Sequence, residues 1–527
     1  MFISSLKPLK IVYAAASSVC FILSFPDYNL FFLAWIFLVP LFKAVEDETP
    51  LNAFYIGWFS GILAFAGTVY WVTNSMTNYG GINPVLSIFF LFLLSAYLGL
   101  YTGLFCLVYR KSEIKLGTLP ALSSAPFLWV SLEYLRGHVL TGFPWSLIGY
   151  SQWNMTSFIQ VADITGIYGI SFSLIALNAV LYYVFFPASS IANLTTLKKR
   201  ALILFVPFVL LLSFWIYGKS LEGTYKDSAL KDKALPEDSV NVAVVQGNIE
   251  QSLKWERSEQ IESIETHKKL TERSLDCTPS LVIWPETALP FYLEKEAAYL
   301  QVVSSFAKER NIYLLAGSVG FTKNQSGRDD VYNSAFLIGS DGKINGRYDK
   351  RHLVPFGEYI PLEWLFRITY FDRIIGDIGS FSVGSESRVF KIGNGAVSAI
   401  ICYELIFPEL VRTFVSSGGE LLVNITNEGW FGRSSAAEQH FTNAVFRAIE
   451  NRVYVIRSAN TGISGFISPA GEVLQKTEMF EPASLCRKVY FSKIRTFYTR
   501  FGDIFAFSCI ALSLLFLFLQ TGKNPDK

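Results

Sequence analysis

The distribution of apolar residues divides the chain into two kinds of sequence. Long apolar runs fill the chain up to Gly218 and appear again after Gly502, whereas the middle alternates short apolar and polar segments. A helix needs about 20 mostly apolar residues to cross the hydrocarbon core of a bilayer. The runs therefore predict eight membrane-spanning helices, at about residues 11–25, from 30 onwards, 53–74, 85–109, 119–136, 160–186, 200–218 and 502–521.

The span at 119–136 is the weakest of the eight, because it contains Pro120, Pro126, Glu133 and Arg136. Two interpretations stay open: a helix that crosses the membrane, or one packed inside the bundle. Charged residues within such segments are costly and face partners. Glu133 and Arg136 either pair with each other or meet a phosphate headgroup.

The middle of the chain predicts a separate α/β domain. Strand-like runs alternate with helical patterns at about 256–275, 294–310 and 435–451, which is typical of α/β folds. The predicted strands are Val240–Gln246, Leu281–Trp284, Ile312–Val319, Ser334–Ile338, Val397–Cys402, Leu421–Ile425, Tyr454–Arg457 and Gly465–Ser468. The predicted borders are a seven-span bundle at 1–218, a polar linker at 219–238, the α/β domain at 239–495 and an eighth helix at 500–521.

Basic residues predict the orientation of the chain. With eight spans both termini lie on one side, and eleven Lys and Arg residues fall there against Arg136 alone in the short loops opposite. Lys and Arg concentrate in cytoplasmic loops. We therefore expect cytoplasmic termini and an α/β domain outside the cytoplasm. The eleven are Lys7, Lys10, Lys43, Arg110, Lys111, Lys115, Lys198, Lys199, Arg200, Lys523 and Lys527.

The composition argues against several classes of function. The chain has 527 residues, of which 51% are hydrophobic and 17% charged, well below the charged share of about 25% in soluble domains. A formal charge of +2 predicts no nucleic-acid partner. Six cysteines without a CxxC pair indicate neither a disulfide framework nor a zinc site, and the four scattered histidines are typical of surface or core positions. No GxGxxG, GxxxxGK[ST] or GxSxG motif is present, so no nucleotide cofactor or serine nucleophile is predicted.

Three stretches carry candidate chemistry. LVIWPETALP places Glu286 just beyond a strand, YDKRHLVPFGEYIP holds Lys350 and Glu358, and AIICYELIFPE delivers Cys402 at a strand end. Taken singly, they fit a loop carboxylate, a solvated basic turn and a buried thiol of the core. Taken together, they supply a nucleophile, an ammonium that lowers the thiol pKa and stabilises an oxyanion, and a carboxylate base.

These stretches resemble the nitrilase, or carbon–nitrogen hydrolase, superfamily. Within it, VVQGNIEQSLKW, IWPET, KRHLVPFGEYIPL, ICYE, NEGWFG, QH, FRAIENR and the upstream EYLRGHVLTGFPW are similar to the apolipoprotein N-acyltransferase family, over nearly the whole chain. The resemblance implies an αββα sandwich outside the cytoplasm with a triad of Glu286, Lys350 and Cys402. It implies a supporting Glu358, with Glu404 and Tyr403 tuning the site. Glu428 departs from the family, where Asp is commoner, and is expected to lengthen a loop side chain at little cost.

The resemblance also implies a function. Cys402 takes a fatty acyl chain from a phospholipid, typically phosphatidylethanolamine, and passes it to the amine of the diacylglyceryl-cysteine of an apolipoprotein, the final step of lipoprotein maturation. The reaction needs no cofactor and no metal. The implied location is a bacterial inner membrane, crossed several times, with the catalytic domain in the periplasm.

The aromatic-rich stretch from Val354 to Phe381 predicts a lipid contact. Such a stretch either folds into the core or lies at the bilayer surface as a lid. The second interpretation makes Trp255, Phe356 and Trp364 candidate substrate-binding residues.

Two other functions are compatible with parts of the pattern. One is a membrane-tethered amidase with the same triad. The other is a membrane binding or transport protein with an inactive domain, although most spans lack the charged residues expected along a transport pathway.

Overall fold

The computed structural model describes residues 7–186, 194–227, 230–231, 238–251, 254, 256–323, 327, 329–361 and 381–521. The chain forms two compact units. The first comprises Met1–Thr73, Pro84–Glu222 and Phe501–Lys527, and the second comprises Asn74–Asn83 and Gly223–Arg500.

The first unit is helical. Its main helices are α1 (Pro8–Leu23), α2 (Leu38–Val45), α3 (Pro50–Thr68), α4 (Pro84–Leu116), α5 (Thr118–Arg136), α6 (Ile167–Phe185), α7 (Leu194–Tyr225) and the C-terminal helix (Ile504–Thr521). Proline opens α1 and α3 in the first helical turn, where its missing N–H costs nothing. The Thr49 hydroxyl caps α3 by accepting a hydrogen bond from Asn52 N at 3.2 Å. Helix α7 continues to Tyr225, within the segment predicted as a linker.

Helices α3 and α4 pack through small residues. A Cβ atom added at Gly61 would lie 2.6 Å from the Cα of Gly99, and one added at Gly103 would lie 3.0 Å from the Phe54 ring. Small residues let helix backbones approach closely. In a membrane, helix association depends on such close packing, because lipid tails are as apolar as the side chains and no hydrophobic effect drives the helices together. This contact therefore requires glycine.

Three described helices are long and apolar enough to cross a membrane: α3, α4 and α6. The predicted span from residue 30 is instead a 3-10 helix (Phe31–Trp35) followed by the short α2. Helix α1 and the C-terminal helix are apolar but shorter. These apolar helices indicate a membrane protein. The number of membrane crossings stays a prediction.

Helix α5, the ambiguous span, packs against α4, α6 and the C-terminal helix. Its two charged residues bind a neighbouring loop. Glu133 Oε1 accepts a hydrogen bond from Ile148 N at 2.9 Å, and Arg136 Nη1 donates to the Trp145 carbonyl at 2.8 Å. These side chains hold the loop at 145–148 in place.

The second unit contains two β-sheets. The first has the order β13-β1-β2-β4-β5-β6, with β3 pairing with β4, and the second has the order β12-β11-β10-β9-β8-β7. The strands are β1 (Ser239–Gln246), β2 (Leu281–Ile283), β3 (Leu289–Tyr292), β4 (Tyr313–Lys323), β5 (Asp329–Ile338), β6 (Ile344–Asp349), β7 (Val389–Ile392), β8 (Gly395–Ile401), β9 (Leu421–Thr426), β10 (Tyr454–Ala459), β11 (Gly465–Ile467), β12 (Val473–Lys476) and β13 (Ala483–Tyr490).

The two sheets face each other between helical layers. Ser458 on β10 donates across the interface to the Val245 carbonyl at 2.9 Å, so the sheets meet at their inner faces. Helices α8 (Arg257–Glu272) and α9 (Ala297–Glu309) cover the first sheet, and α10 (Pro408–Ser416) and α11 (Ala436–Asn451) cover the second. The inner strands bury both faces, which explains their near-continuous apolar runs. The arrangement is the expected αββα sandwich.

All eight predicted strands are present, and the described part of the chain contains five further strands that were missed. The missed strands are β3, β6, β7, β12 and β13. Most of them carry exposed or half-buried residues, so their sequences lack the fully apolar pattern of the inner strands. Helix α10 was also missed, since it has only nine residues.

A disulfide joins Cys277 to Cys486, 209 residues apart, with a Cα–Cα distance of 6.5 Å. The sequence pattern did not indicate this bond. Cys486 lies on β13 and pairs in register with Ala243 of β1, while Cys277 ends a 3-10 turn before β2. Only the antiparallel pairing of β1 with β13 brings the two thiols together, so their spacing in the sequence is uninformative.

Candidate active site

The three predicted catalytic side chains extend from three strand ends. Glu286 follows β2 by three residues, Lys350 directly follows β6, and Cys402 directly follows β8. The backbone at Glu286 approaches β4 closely, because a Cβ atom at Gly317 would lie 2.6 Å from the Glu286 Cα. Glycine at this position lets the carboxylate reach the site.

Lys350 lies between two carboxylates. Its buried Nζ is 2.9 Å from Glu358 Oε1 and 3.8 Å from Glu286 Oε1. Burial lowers the pKa of Lys350, but Glu358 and Glu286 more than offset this and hold that pKa above its ordinary value. Lys350 is therefore a fixed positive charge.

Asn333 on β5 connects the same two carboxylates. Its Nδ2 donates to Glu286 Oε1 at 2.7 Å and to Glu358 Oε1 at 2.8 Å. Sequence reasoning missed this residue. The available signal was an asparagine next to the predicted strand Ser334–Ile338, in a position that β5 buries.

Glu286 keeps one oxygen available. Its Oε1 accepts the Asn333 hydrogen bond, whereas its buried Oε2 has no hydrogen-bond partner among the described residues. Burial raises the pKa of the Glu286 carboxyl, Lys350 lowers it, and Glu358 raises it again. A buried carboxylate with a raised pKa is a stronger base than one in water.

Cys402 occupies a strained backbone position. Its φ of 50° lies in the left-handed region, which β-carbon sterics disfavour, and its side chain is buried with 7% of the residue exposed. Burial, the largest cause, and Glu286 raise the pKa of the thiol and Lys350 lowers it; together these effects raise it to about 12. The thiol is thus protonated at rest and needs a base to become a nucleophile.

Glu404 anchors the turn that follows the nucleophile. Its Oε2 accepts from Ile401 N at 2.7 Å, and its Oε1 accepts from the Tyr348 hydroxyl at 2.6 Å and from Arg351 N at 2.7 Å. His352 N donates to the same Oε1 at 3.1 Å. Glu404 therefore ties the ends of β6 and β8 together, which places Lys350 beside Cys402.

Tyr403, directly after the nucleophile, packs against two neighbouring rings. Its ring lies 5.2 Å from the Phe407 ring and 5.8 Å from His352, and the residue is buried. Of the predicted substrate-binding residues, Phe356 is 52% exposed on the loop after β6, with a φ of 60°. Trp255 and Trp364 lie outside the described residues, as does most of the aromatic stretch after Pro361.

Lys254 is a second buried cation that sequence reasoning passed over. Its Nζ donates to the Glu286 carbonyl at 3.2 Å and to the Thr287 hydroxyl at 3.0 Å. Burial lowers the pKa of Lys254 to about 7, and Glu286 opposes that shift. The ammonium holds the turn that carries Glu286. The motif QSLKW contains it, but nothing in that motif shows which way the lysine points.

Two polar residues near Cys402 make contacts that the sequence did not reveal. Glu428 lies in the loop after β9, as expected, and is buried against His440 and Arg457. His440 is a buried core residue, one of the two kinds of position expected for a histidine, and its Nε2 lies 3.2 Å from the Cys402 carbonyl oxygen. Within the described ranges, no group of three His, Cys, Asp or Glu residues is placed to hold a metal ion.

The arrangement is suited to covalent acyl chemistry. It places a thiol, a carboxylate with one available oxygen and a fixed ammonium at three strand ends. The carboxylate can take the thiol proton, and the ammonium can stabilise both the thiolate and the oxyanion of a tetrahedral intermediate.

Two protein-family models match this chain, one in each half. The family model for the apolipoprotein N-acyltransferase N-terminal domain matches residues 17–180, and the carbon–nitrogen hydrolase model matches residues 241–496. The solved structure of an amidase from Nesterenkonia sp. is 17% identical, covers 52% of this chain and 96% of its own, and has a TM-score of 0.39.

Relatives match along almost the full length. A protein of Geobacter metallireducens named apolipoprotein N-acyltransferase is 40% identical over 94% of this chain and 92% of its own. One of the same name from Vibrio parahaemolyticus is 31% identical over 97% of this chain and 96% of its own. The second unit thus carries a carbon–nitrogen hydrolase domain. The whole chain belongs to the apolipoprotein N-acyltransferase family.

Proposed function

We propose that this protein moves a fatty acyl chain from a phospholipid to the amine of the diacylglyceryl-cysteine of apolipoproteins, through a thioester on Cys402. The observation that carries the proposal is the buried Cys402 thiol with Lys350 and Glu286, in a chain of this family that also contains apolar helices. Both substrates have lipid tails, so a site attached to membrane helices can reach them.

The first half-reaction consumes the phospholipid. Glu286 Oε2 takes the proton of the Cys402 thiol, and the sulfur attacks the ester carbonyl carbon. Lys350 stabilises the resulting oxyanion. The bond between that carbon and the glycerol oxygen then breaks, and Glu286 returns the proton to this oxygen, which gives a lysophospholipid and an acyl-thioester.

The second half-reaction consumes the apolipoprotein. Its amine nitrogen attacks the thioester carbonyl carbon, and Glu286 accepts a proton from that nitrogen. The carbon–sulfur bond breaks and the sulfur regains the proton. The products are an amide and the free thiol. Because water would hydrolyse the thioester, burial of Cys402 favours transfer over hydrolysis.

The supporting residues keep the charges in place. Glu358 accepts hydrogen bonds from Val354 N at 2.8 Å and from Lys350 Nζ, so it fixes the ammonium without sharing the proton transfer. Asn333 holds Glu286 Oε1, and this leaves Oε2 for the thiol. No cofactor or metal enters the scheme.

We further propose that the catalytic domain lies in the periplasm of a bacterium whose inner membrane the chain crosses several times with cytoplasmic termini. The distribution of Lys and Arg supports this orientation. The Cys277–Cys486 disulfide supports it independently, because disulfides persist outside the reducing cytoplasm. Exposed Phe356, with Trp255 and Trp364, would then line the entrance for phospholipid, with phosphatidylethanolamine as the expected donor.

The test is to incubate the purified full-length protein with phosphatidylethanolamine labelled in its acyl chains. We expect one acyl group on Cys402 by peptide mass, and its loss when a diacylglyceryl lipopeptide with a free amine is added. Cys402→Ala should trap no label. Cys509→Ala, which removes a thiol from the C-terminal helix, should trap as much label as the wild type.

The outcomes separate the alternative functions. Ammonia release from a simple amide, without trapped acyl label, would indicate a membrane-tethered amidase. Absence of both reactions in folded protein would indicate a binding or transport protein. Label retained by Cys402→Ala would refute the proposed nucleophile.

A further inference from the structure

Three ionisable side chains are buried behind the nucleophile turn: Glu428, His440 and Arg457. They come from three elements, namely the turn after β9, the first half of α11, and β10. Each is almost completely buried. Burying such groups is costly unless they are paired and hydrogen-bonded, so a cluster of this kind needs a specific reason.

Arg457 donates to three described acceptors. Its Nε donates to the Ile463 carbonyl at 2.9 Å, its Nη1 donates to Asn424 Oδ1 at 2.7 Å, and its Nη2 donates to Glu428 Oε1. The same Nη2 lies 3.0 Å from His440 Nδ1. The guanidinium is fixed in orientation, because several of its donors point at separate acceptors.

The neighbours of His440 determine which ring nitrogens donate. Nε2 faces the Cys402 carbonyl oxygen at 3.2 Å, and a carbonyl oxygen only accepts hydrogen bonds. Nε2 must therefore carry a proton. Nδ1 lies 2.7 Å from Glu428 Oε1, and this carboxylate oxygen accepts from both Nδ1 and Arg457 Nη2, which explains why the two nitrogens lie 3.0 Å apart. Burial and Arg457 lower the pKa of His440, and Glu428 opposes that shift.

The hydrogen bond from His440 reaches the residue whose backbone is strained. Cys402 has a φ of 50°, which is unfavourable for a residue with a β-carbon and persists only where the surroundings hold the backbone. Its carbonyl points into the cluster, while its thiol lies within the electrostatic reach of Lys350 and Glu286. Fixing the carbonyl therefore fixes the backbone from which the thiol side chain extends.

We propose that His440 is a positioning residue for acyl transfer: Glu428, itself held by Arg457, accepts from Nδ1 and fixes the ring, and the Nε2–H group holds the Cys402 carbonyl so that the thiol can face Glu286 and Lys350. The inference rests on the proposed function, since it concerns the same nucleophile. It also gives a reason for glutamate rather than aspartate at position 428, because the longer side chain reaches both Arg457 and His440. Gly462 leaves it room, since a Cβ there would lie 1.8 Å from Glu428 Oε2.

The test compares two amides at position 440. The Gln amide nitrogen can reach the place of His Nε2, whereas the Asn amide nitrogen corresponds to Nδ1. In single-turnover acylation with labelled phospholipid, His440→Gln should stay within a few-fold of the wild type. His440→Asn and His440→Ala should acylate about 10–100-fold more slowly, as expected for a misplaced reacting group.

The matched control is His267, which is equally buried on α8 against the other sheet. His267→Gln and His267→Asn should acylate at equal rates per folded molecule. The lipid concentration that gives half-maximal acylation should stay unchanged in all position-440 variants, since binding is not altered. A merely structural role would lower the folded fraction and the Tm of both amides together, without a difference between Gln and Asn.

A second readout does not depend on activity. Nitrogen-15 spectra of labelled histidine, assigned with His440→Gln, should show a proton on His440 Nε2 at about pH 7. An unprotonated Nε2, or equal acylation by His440→Asn and the wild type, would overturn the inference. A wild type that forms no thioester would instead refute the proposed function, so the two failures are distinguishable.

Discussion

Asn333 provides the sharpest test of how Glu286 is tuned. Replacing it with the similarly sized Leu removes one hydrogen bond from Glu286 and one from Glu358. The two losses are unequal. Glu358 retains Lys350 at 2.9 Å and Val354 N at 2.8 Å, whereas Glu286 retains only the longer approach of Lys350, at 3.8 Å.

The magnitude follows from the lost bond. A hydrogen bond to a charged group contributes about 1.5–3 kcal/mol, and one pKa unit corresponds to about 1.4 kcal/mol. The bond favours the ionised carboxylate, so its loss should raise the pKa of Glu286 by about 1–2 units. Acylation needs ionised Glu286, and the acid limb of its pH profile should therefore move to higher pH by the same amount.

The assay is single-turnover acylation of Asn333→Leu between pH 4 and pH 9. Asn241→Leu is the control, because Asn241 on β1 also loses a hydrogen bond, to the Cys277 carbonyl at 2.9 Å, without touching the site. Its acid limb should not move. An unmoved limb in Asn333→Leu, with wild-type rates, would refute the role given to Asn333.

The same shift has a consequence for stability. A carboxyl whose pKa is higher in the folded state than in the unfolded state binds more protons when folded. The free energy of unfolding therefore falls as pH rises from the unfolded pKa to the folded one, and stays low above it. We expect Asn333→Leu to lose stability at neutral pH and to regain most of it at about pH 4.

Other expectations concern residues around the same site. The rate of Cys402 alkylation by iodoacetamide, followed by peptide mass, should still rise about tenfold per unit near pH 10, because burial raises the thiol pKa to about 12; a plateau below pH 9 would contradict this. Glu404→Gln should lower the Tm and slow acylation, because an amide N–H would face donors that now point at the carboxylate, whereas an unchanged Tm would exclude the anchoring role. Cys277→Ser should cost about 2–5 kcal/mol of unfolding free energy in oxidised protein. Thiol labelling without reductant should leave Cys277 and Cys486 protected, and labelling of both would exclude the bond.

Part of the fold was predictable because its signals are local. Strands buried on both faces need unbroken apolar runs, and the runs at Val240–Gln246 and Val397–Cys402 accordingly became β1 and β8. Edge strands such as β12 are half exposed, and their mixed composition resembles that of loops. Apolar content correctly indicated apolar helices, three of which are long enough to cross a membrane, but length alone did not show that residues 31–45 form a 3-10 helix and a short α-helix.

The sequence by itself determined the candidate reactive groups: Glu286, Lys350 and Cys402 stand out because each lies in a recognisable motif, and Glu286 and Cys402 also follow predicted strands. Only the tertiary structure decided what surrounds them. Asn333 and Lys254 approach Glu286 from other segments, and the cluster of Glu428, His440 and Arg457 meets behind Cys402. The physical reason is that a strand's apolar pattern is set by its own residues, whereas these contacts depend on how distant strands are paired and on which way each buried polar side chain turns.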